Sequence, residues 1–394
     1  MASRSTTCSL ALLFTAALIL SVSHSALADG ISNAVAGVVG RTVRPVLEKY
    51  RIPGMAVGVI AGKRSYVFNY GMAALASHQR VTDATLFELG SISKTFTATL
   101  AAYAEVKGHL SLSDTAGKYL QVLRGSKFGD TTLLELGTHT PGGLPLQVPA
   151  EAHNIDELMR YFKRWHPAYP PGTYRTYANP GIGTLGLITA KSMDASFDTL
   201  MERRLLPALG LKSTFIHVPP ARMADYAEGY ARGDSPVRMR PGVLSAEAYG
   251  LKSTAADMIH FLQENMGSMA LDPQLQRAIA ATHTGYFIAG PMTQDLIWEQ
   301  YPYPVEQQKL LDGNSPAMLF DATPVTRISP PERPRQDVWI NKTGSTNGFG
   351  DYVAFIPAKR LGIVILANRS YPIDARVKAG YQILTALARM DTLH

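Results

Sequence analysis

Ser91 and Lys94 are the first pair of residues in this sequence whose types and spacing could do chemistry. Gly90 comes just before a segment with the apolar spacing of a helix, so Ser91 is predicted at the helix start. Residues three apart share one helix face, and the Lys94 amine would therefore lie beside the Ser91 hydroxyl and could help to remove its proton. Because Ser-x-x-Lys also arises by chance and serine often caps helices, this pair alone is weak evidence.

A tyrosine motif, Tyr177-Ala178-Asn179, lies in a proline- and glycine-rich stretch over 170–183 that predicts a loop. A phenol here could relay protons, but its usual pKa of about 10 is too high for a base at neutral pH. Two nearby ammonium groups would favour the phenolate. The alternative is a packed core tyrosine whose hydroxyl has a hydrogen-bond partner.

A third motif, Lys342-Thr343-Gly344, ends a predicted strand. An edge strand at this position could pair with an extended substrate amide. The backbone N–H groups of Ser91 and of the following Ser345 could together form an oxyanion hole, and Lys342 would add positive charge for a substrate carboxylate or a phenolate. A solvated lysine at a strand end is the alternative interpretation.

The elements that must position these motifs fall into two groups. Segments near the two chain ends predict one shared antiparallel sheet with covering helices: helices over 31–50 and 373–390, and strands over 55–61, 64–70, 337–343, 348–356 and 361–367. The middle of the chain predicts mainly helices joined by long loops. A cleft between the sheet and the helical part is the expected ligand site.

The expected fold class is therefore α/β, an α+β sandwich with an antiparallel sheet flanked by helices and an inserted helical part. We expect a signal peptide over 1–28, a discontinuous α/β sheet domain over 29–84 and 301–394, and a mainly helical domain over 85–300. The active site would lie in the cleft between the two domains.

The first 28 residues have the pattern of an export signal. Arg4 precedes an apolar run over 10–22, and small residues lead up to Ala28, after which cleavage is expected. The run is shorter than the roughly 20 residues that span a bilayer, so no stable membrane association is expected after cleavage. Cys8, the only cysteine, lies in this signal, which leaves the mature chain without a thiol for catalysis or a disulfide.

The charge distribution and the histidine spacing argue against nucleic-acid binding and metal binding. Lysine and arginine exceed aspartate and glutamate by 38 to 31, for a formal net charge of +7, but the basic residues are scattered, so no nucleic-acid partner is expected. The ten histidines show no metal-ligand spacing, and we therefore expect no metal. The mild positive charge could attract small carboxylates.

Taken together, the three motifs occur in the chain order that is typical of β-lactamases and penicillin-binding proteins. The sequence most closely resembles the class C β-lactamases, over nearly the whole mature chain. The resemblance is carried by the segments 90–96, 144–149, 177–181, 342–350 and 363–372. It implies the serine β-lactamase/transpeptidase-like fold and a periplasmic monomer without cofactors, which binds β-lactam substrates and inhibitors.

The resemblance also implies roles for individual residues. Ser91 would attack the lactam carbonyl, Lys94 and Tyr177 would transfer the proton, and Tyr177 would later help to activate the hydrolytic water. The further residues that it implies in catalysis or substrate binding are Lys342, Ser345, Gln147, Asn179, Tyr249, Thr343, Gly344, Asn347 and Arg376. Of these, Gln147 and Asn179 would hold the acyl side-chain amide.

Two positions depart from the family pattern. Ile373 stands where many relatives carry asparagine, which removes one polar contact to the substrate carboxylate. Asp351 takes a position that is usually small and neutral, and we expect it on a solvated face of its strand.

The resemblance predicts hydrolysis of β-lactams, cephalosporins above all, and hence antibiotic resistance. A DD-peptidase or a carboxylesterase of the same fold would use the same acyl-enzyme chemistry and stays open as an alternative. A sensor that is acylated by lactams and stays acylated is a third possibility.

Overall fold

The computed structural model describes residues 30–231 and 234–390. The predicted signal peptide, with its cysteine, lies outside the described residues. Within these two ranges, no helix combines the length and the apolar character needed to cross a membrane.

The described residues form strands of two to eleven residues. They are β1 Gly54–Ala61, β2 Arg64–Ala74, β3 Gln79–Arg80, β4 Phe87–Glu88, β5 Tyr174–Arg175, β6 Gly229–Tyr230, β7 Pro236–Val237, β8 Lys252–Ser253, β9 Gly285–Ala289, β10 Met292–Gln294, β11 Glu299–Pro302, β12 Thr323–Glu332, β13 Val338–Ser345, β14 Gly350–Ile356 and β15 Leu361–Ala367.

The helices begin with α1 over 30–49. They continue with α2 Ser93–Val106, α3 Ala116–Tyr119, α4 Leu133–Gly137, α5 Ile155–Arg164, α6 Asn179–Ser192, α7 Phe197–Leu200, α8 Leu206–Ala208, α9 Ser245–Tyr249, α10 Ala255–Asn265, α11 Pro273–Ala281, α12 Gln307–Gly313, α13 Pro316–Phe320 and α14 Ile373–Ala388. Short turns of other helix types cover Gly90–Ile92, Gln121–Leu123, Met201–Leu205, Pro220–Asp225 and Pro357–Lys359.

The main sheet is antiparallel and has the strand order β3-β2-β1-β15-β14-β13-β11-β10-β9-β12-β5. β1, near one end of the chain, therefore lies between its hairpin partner β2 and β15, near the other end. The predicted fold class, an antiparallel sheet flanked by helices from both chain ends, is confirmed.

Both faces of the sheet are covered, because side chains of the central strands alternate between two cores. Val57 of β1 shares one core with Leu384 of α14, and α1 contributes to the same core. Ile60 of β1 lies in the other core, together with Ile259 of α10 and Phe96 of α2. The sheet is thus held between layers of helices, and α2 follows directly on the segment that contains the Ser-x-x-Lys motif.

Four strands of the sheet lie wholly or partly in the part of the sequence whose pattern indicates helices. β5, β9, β10 and the first half of β11 lie within 85–300. β5 pairs with β12 at one edge of the sheet, and β9 to β11 join the sheet between β13 and β12. Their buried positions include the polar residues Gln294, Glu299 and Gln300, which obscure the apolar alternation that would indicate strands. The division of the chain into two domains stays a prediction.

Candidate active site

The Ser91 segment and the end of β13 meet through their backbones. Gly90 has a left-handed backbone with φ of +51°, and a Cβ atom there would lie 2.5 Å from the backbone nitrogen of Ser345. A Cβ atom on Gly344 would lie 2.1 Å from the carbonyl oxygen of Leu89. Both motifs therefore need glycine at these positions, because any side chain would push the two segments apart.

Lys94 lies one helical turn beyond Ser91, with its side chain fully buried. Its Nζ donates hydrogen bonds to the Ser91 Oγ at 2.7 Å and to the Ala248 carbonyl oxygen at 2.9 Å. Burial lowers the pKa of Lys94 to about 8, although Tyr177 opposes the shift. The Ser91 hydroxyl does not cap the helix, so the structure does not support the capping alternative.

Tyr177 is buried among three cationic groups. The Nζ atoms of Lys94 and Lys342 and the guanidinium carbon of Arg175 lie 5.2, 5.0 and 5.3 Å from its ring centre. Burial opposes ionisation of the phenol, but the two ammonium groups outweigh it and lower the pKa of Tyr177 to about 8.

The hydroxyl of Tyr177 differs from that of a purely structural tyrosine in its hydrogen bonding. Within the described residues, its oxygen is buried and makes no hydrogen bond of normal geometry, while Ser91 lies close enough to lower its pKa. A packed core tyrosine would have a hydrogen-bond partner. The Tyr177 oxygen is therefore available to exchange a proton with a group in the cleft.

Lys342 is held in its charged form by a buried carboxylate. Its Nζ lies 3.3 Å from Glu299 Oε1, and the same oxygen lies 3.5 Å from Arg175. Asn341 donates to the other carboxylate oxygen at 3.0 Å. Burial alone would lower the pKa of Lys342, but Glu299 and Tyr177 raise it above the usual value.

Glu299 and Arg175 are residues of the site that the sequence analysis does not identify. Arg175 lies two positions before Tyr177, on a strand too short to have a recognisable pattern. Glu299 follows a tryptophan at the start of β11 and belongs to no motif. The two residues stand out as part of the site because they are charged and buried. The sequence alone does not reveal this burial.

Asn179 and Gln147 are brought together as the resemblance implies. The Asn179 side-chain nitrogen donates to Gln147 Oε1 at 2.8 Å, and its Oδ1 is buried without a partner among the described residues. Asn179 begins α6, which packs against α9, and α9 ends at Tyr249. All three side chains line the cleft.

The cleft is also lined by Thr343, Ser345, Asn347 and Ile373. Gly344 is buried and does not belong to the lining. Arg376 does not line it either. Its guanidinium is buried, donates to the Ser345 Oγ at 2.9 Å and to the carbonyl oxygen of Gly344, and also contacts the Tyr371 and Asp351 carbonyls. The structure therefore places Arg376 where it supports the β13 end from behind.

The expectation that Asp351 lies on a solvated face is wrong. The residue is fully buried, because β14 lies between β13 and β15 in a sheet covered on both faces. Its Oδ1 accepts a hydrogen bond from the Ala367 N–H at 3.1 Å. Burial raises the pKa of Asp351 well above its usual value, although that N–H and Arg376 oppose the shift.

The cleft in which these groups converge has a volume of about 710 Å³. Besides the residues already placed, its lining includes Leu146, Val237, Arg238, Met239, Arg240, Gly313, Asn314, Ser315, Met318, Leu319 and Thr346. In the part of the chain that the structure describes, no group of three or more histidine, cysteine, aspartate or glutamate residues could hold a metal ion.

Comparison with known proteins identifies the family. The Beta-lactamase family model matches residues 39–388. A beta-lactamase of Pseudomonas fluorescens is 51% identical over 350 residues, which cover 89% of this chain and 98% of that protein. A D-alanine carboxypeptidase from Burkholderia cenocepacia shares 55% identity and superposes with a TM-score of 0.87, covering 90% of this chain and 99% of that one.

A class C beta-lactamase whose structure was solved in complex with cefoxitin shares 48% identity. It superposes with a TM-score of 0.88 and covers 90% of this chain and 99% of its own. The family model matches most of the chain, and these relatives agree with it. The chain belongs to the beta-lactamase family, in its class C branch.

Proposed function

We propose that this protein hydrolyses β-lactams through an acyl-enzyme on Ser91. The observation that carries the proposal is the 2.7 Å hydrogen bond from the buried Lys94 amine to the Ser91 hydroxyl, with the buried phenol of Tyr177 beside it among cationic side chains. Both Lys94 and Tyr177 have pKa values lowered to about 8, so together they can accept the serine proton near neutral pH.

In acylation, Ser91 Oγ forms a bond to the lactam carbonyl carbon while its proton passes to the Lys94 and Tyr177 pair. The carbonyl oxygen becomes an oxyanion, stabilised by the backbone N–H groups of Ser91 and Ser345. The carbon–nitrogen bond of the ring then breaks, and the nitrogen takes up a proton delivered by Tyr177. Lys342 keeps the phenol poised for this transfer through its positive charge.

In deacylation, Tyr177 accepts a proton from water as the water oxygen bonds to the acyl carbon. The tetrahedral intermediate collapses, the bond to Ser91 Oγ breaks, and the serine recovers its proton. The same oxyanion hole serves both steps. The product is the ring-opened acid, and Ser91 is free for another cycle.

The substrate is held on both sides of Ser91. Gln147 and Asn179 bind the acyl side-chain amide, and Tyr249 borders the side chain. Thr343 and Asn347 receive the substrate carboxylate beside Lys342. Arg376, buried under Gly344 and Ser345, acts on the carboxylate side by fixing the strand.

The preferred substrates are cephalosporins, ahead of bulky oxyimino compounds and carbapenems. The protein acts as a periplasmic monomer after its signal peptide is removed behind Ala28, and its activity confers β-lactam resistance. The signal pattern and the family membership support these assignments.

The decisive experiment measures steady-state hydrolysis of a chromogenic cephalosporin by the mature protein. We expect fast turnover that Ser91→Ala abolishes, while circular dichroism and the melting temperature show that the variant is folded. A variant that turns over at the wild-type rate would remove Ser91 from the mechanism. Equal efficiency on an oxyimino cephalosporin and a carbapenem would contradict the stated preference.

A second candidate function is D-alanine carboxypeptidase activity, because the Burkholderia cenocepacia protein with 55% identity bears that name. The same serine would attack a peptide carbonyl and release D-alanine. Incubation with a peptide ending in D-Ala-D-Ala, followed by an assay for free D-alanine, measures this activity. Stoichiometric acylation by the cephalosporin without turnover, together with D-alanine release, would favour the peptidase over the lactamase.

A further inference from the structure

The charges that line the cleft are strongly unbalanced. The lining contains four cationic side chains, Arg175, Arg238, Arg240 and Lys342, against the single carboxylate of Glu299. That carboxylate lies deep in the cleft and is shared by Lys342 at 3.3 Å and Arg175 at 3.5 Å. The two other arginines therefore have no acidic partner in the described lining of the cleft.

Arg238 and Arg240 lie in a rim segment, residues 237–242, that spans the mouth of the cleft. At one end, a Cβ atom on Gly348 would lie 2.8 Å from Val237, beside the loop that follows β13. At the other end, a Cβ atom on Gly242 would lie 3.8 Å from the Tyr249 hydroxyl. The rim segment thus approaches the side of the cleft where Tyr249 borders the acyl side chain.

The rim segment is held in place from below. The Met239 N–H donates to Glu88 Oε1 at 2.7 Å, and the Tyr226 hydroxyl donates to the same oxygen. Arg238 donates to the carbonyl oxygens of Ala227, at 3.1 Å, and Tyr226, and its guanidinium lies 4.2 Å from the Tyr226 ring centre. These contacts fix the orientation of the Arg238 guanidinium but leave its positive charge in the cleft wall.

Arg240 is the exposed member of the pair. Its side chain makes no hydrogen bond or ion pair with any of the described residues. The acidic residue closest to it along the described chain on the N-terminal side, Asp234, pairs with Arg369 at 2.8 Å. Among the described residues, Arg240 is therefore a cation without a partner, next to a backbone that Met239 anchors at the cleft wall.

We propose that Arg240, with the charge of Arg238 beside it, selects β-lactams whose acyl side chain carries its own anionic group. The proposal rests on the function proposed above and names a substrate class for the same site. A guanidinium forms two parallel hydrogen bonds with a carboxylate or sulfonate, and the nearby second charge adds long-range attraction. An exposed ion pair is weak, so the expected preference is about three- to tenfold in the acylation rate.

The test compares two penicillins that differ by one group: benzylpenicillin and its α-carboxy analogue, carbenicillin. The second-order acylation rate constant is measured for each by mass spectrometry of the quenched protein, which needs no turnover. We expect the carbenicillin-to-benzylpenicillin ratio to fall about three- to tenfold in Arg240→Gln, and less in Arg240→Lys, which keeps the charge.

Arg277→Gln serves as the matched control, because it removes the same charge from an exposed position on α11 outside the cleft lining. We expect it to keep the wild-type ratio. An unchanged ratio in Arg240→Gln would overturn the proposal even when both penicillins acylate normally. Failure of the wild type to hydrolyse a chromogenic cephalosporin would instead overturn the proposed function, and absence of any acylation would overturn both.

Discussion

At the scale of single residues, the site is organised around the protonation of one phenol. Tyr177 is surrounded by positive charges that counter the effect of burial, and its oxygen has no partner of normal geometry among the described groups. A buried phenol without these charges would ionise only at high pH. The cations beside Tyr177 are therefore as much a part of the proposed base as the phenol itself.

Replacing Lys342 with methionine tests this electrostatic role. The Lys342 ammonium lowers the pKa of Tyr177, so its removal should raise that pKa. A higher pKa means less phenolate at neutral pH, and the acidic limb of the acylation rate should shift to higher pH. Lys342→Arg keeps the charge and should stay closer to the wild-type profile. Superimposable profiles for the methionine variant and the wild type would contradict the prediction.

Removing the phenol oxygen itself should affect both chemical steps. Tyr177→Phe keeps the ring among its cations but removes the proposed proton carrier, and loss of a general acid–base group typically costs about 10²- to 10⁴-fold. We expect acylation and deacylation to slow by amounts in this range, measured separately in rapid-mixing experiments. A variant that is impaired only in deacylation would assign acylation to Lys94 alone.

At the scale of elements, the site depends on a backbone contact between the Gly90 turn and the end of β13. Gly90 adopts a left-handed backbone, and an added Cβ would meet Ser345 at 2.5 Å. Gly125 has a similar φ of +77° but nothing within 4 Å of such an atom. Substitutions at these two glycines therefore distinguish the effect of backbone strain from the effect of moving β13.

Gly90→Ala should abolish most activity, whereas Gly125→Ala should keep it. Both substitutions carry a strain of roughly 1 to 2 kcal/mol for a left-handed alanine, and both should lower the melting temperature. We expect that only Gly90→Ala also displaces the Ser345 N–H from the proposed oxyanion hole, with a loss of about 10²- to 10³-fold in kcat. Equal activity of the two variants would show that the contact is not needed.

The sequence allows the prediction of those elements whose signals are local. The strands over 54–61 and 361–367 are apolar runs that include several valines and isoleucines. The motif residues lie beside helix starts and strand ends that the sequence marks clearly. β9 to β11 could not be predicted, because Gln294 and Glu299 are polar at buried positions. Their burial depends on partners far away in the chain, such as Arg175, and the sequence pattern does not identify these partners.

At the scale of the whole molecule, several acidic groups are buried without a cation close enough to neutralise them. The clearest case is Asp295, whose two carboxylate oxygens are buried and have no partner among the described residues. Burial raises its pKa well above the usual value, and Glu332 and Glu299 raise it further. Burial therefore favours the neutral form of Asp295 more in the folded protein than in the unfolded chain.

Asp295→Asn should stabilise the protein, and more so at higher pH. Because the folded pKa is raised, the wild type loses stability as pH rises from about 4 toward that pKa, by up to about 1.4 kcal/mol per pH unit. Asparagine does not ionise in the folded or the unfolded state, so the variant does not lose this stability as the pH rises. Urea unfolding at pH 4.5 and 7.5 should show a larger gain at the higher pH, and Asp130→Asn provides an exposed control.

The pairing of β1 with β15 also determines when the protein can fold. The Gly54 N–H donates to the Asn368 side chain at 2.7 Å, across 314 positions of sequence. During synthesis, β1 cannot pair with β15 until the long segment between the two strands has also been made. A chain that must pass through a narrow channel has to remain unfolded until it has crossed. The strand order therefore delays assembly of the central sheet until β15 has been made.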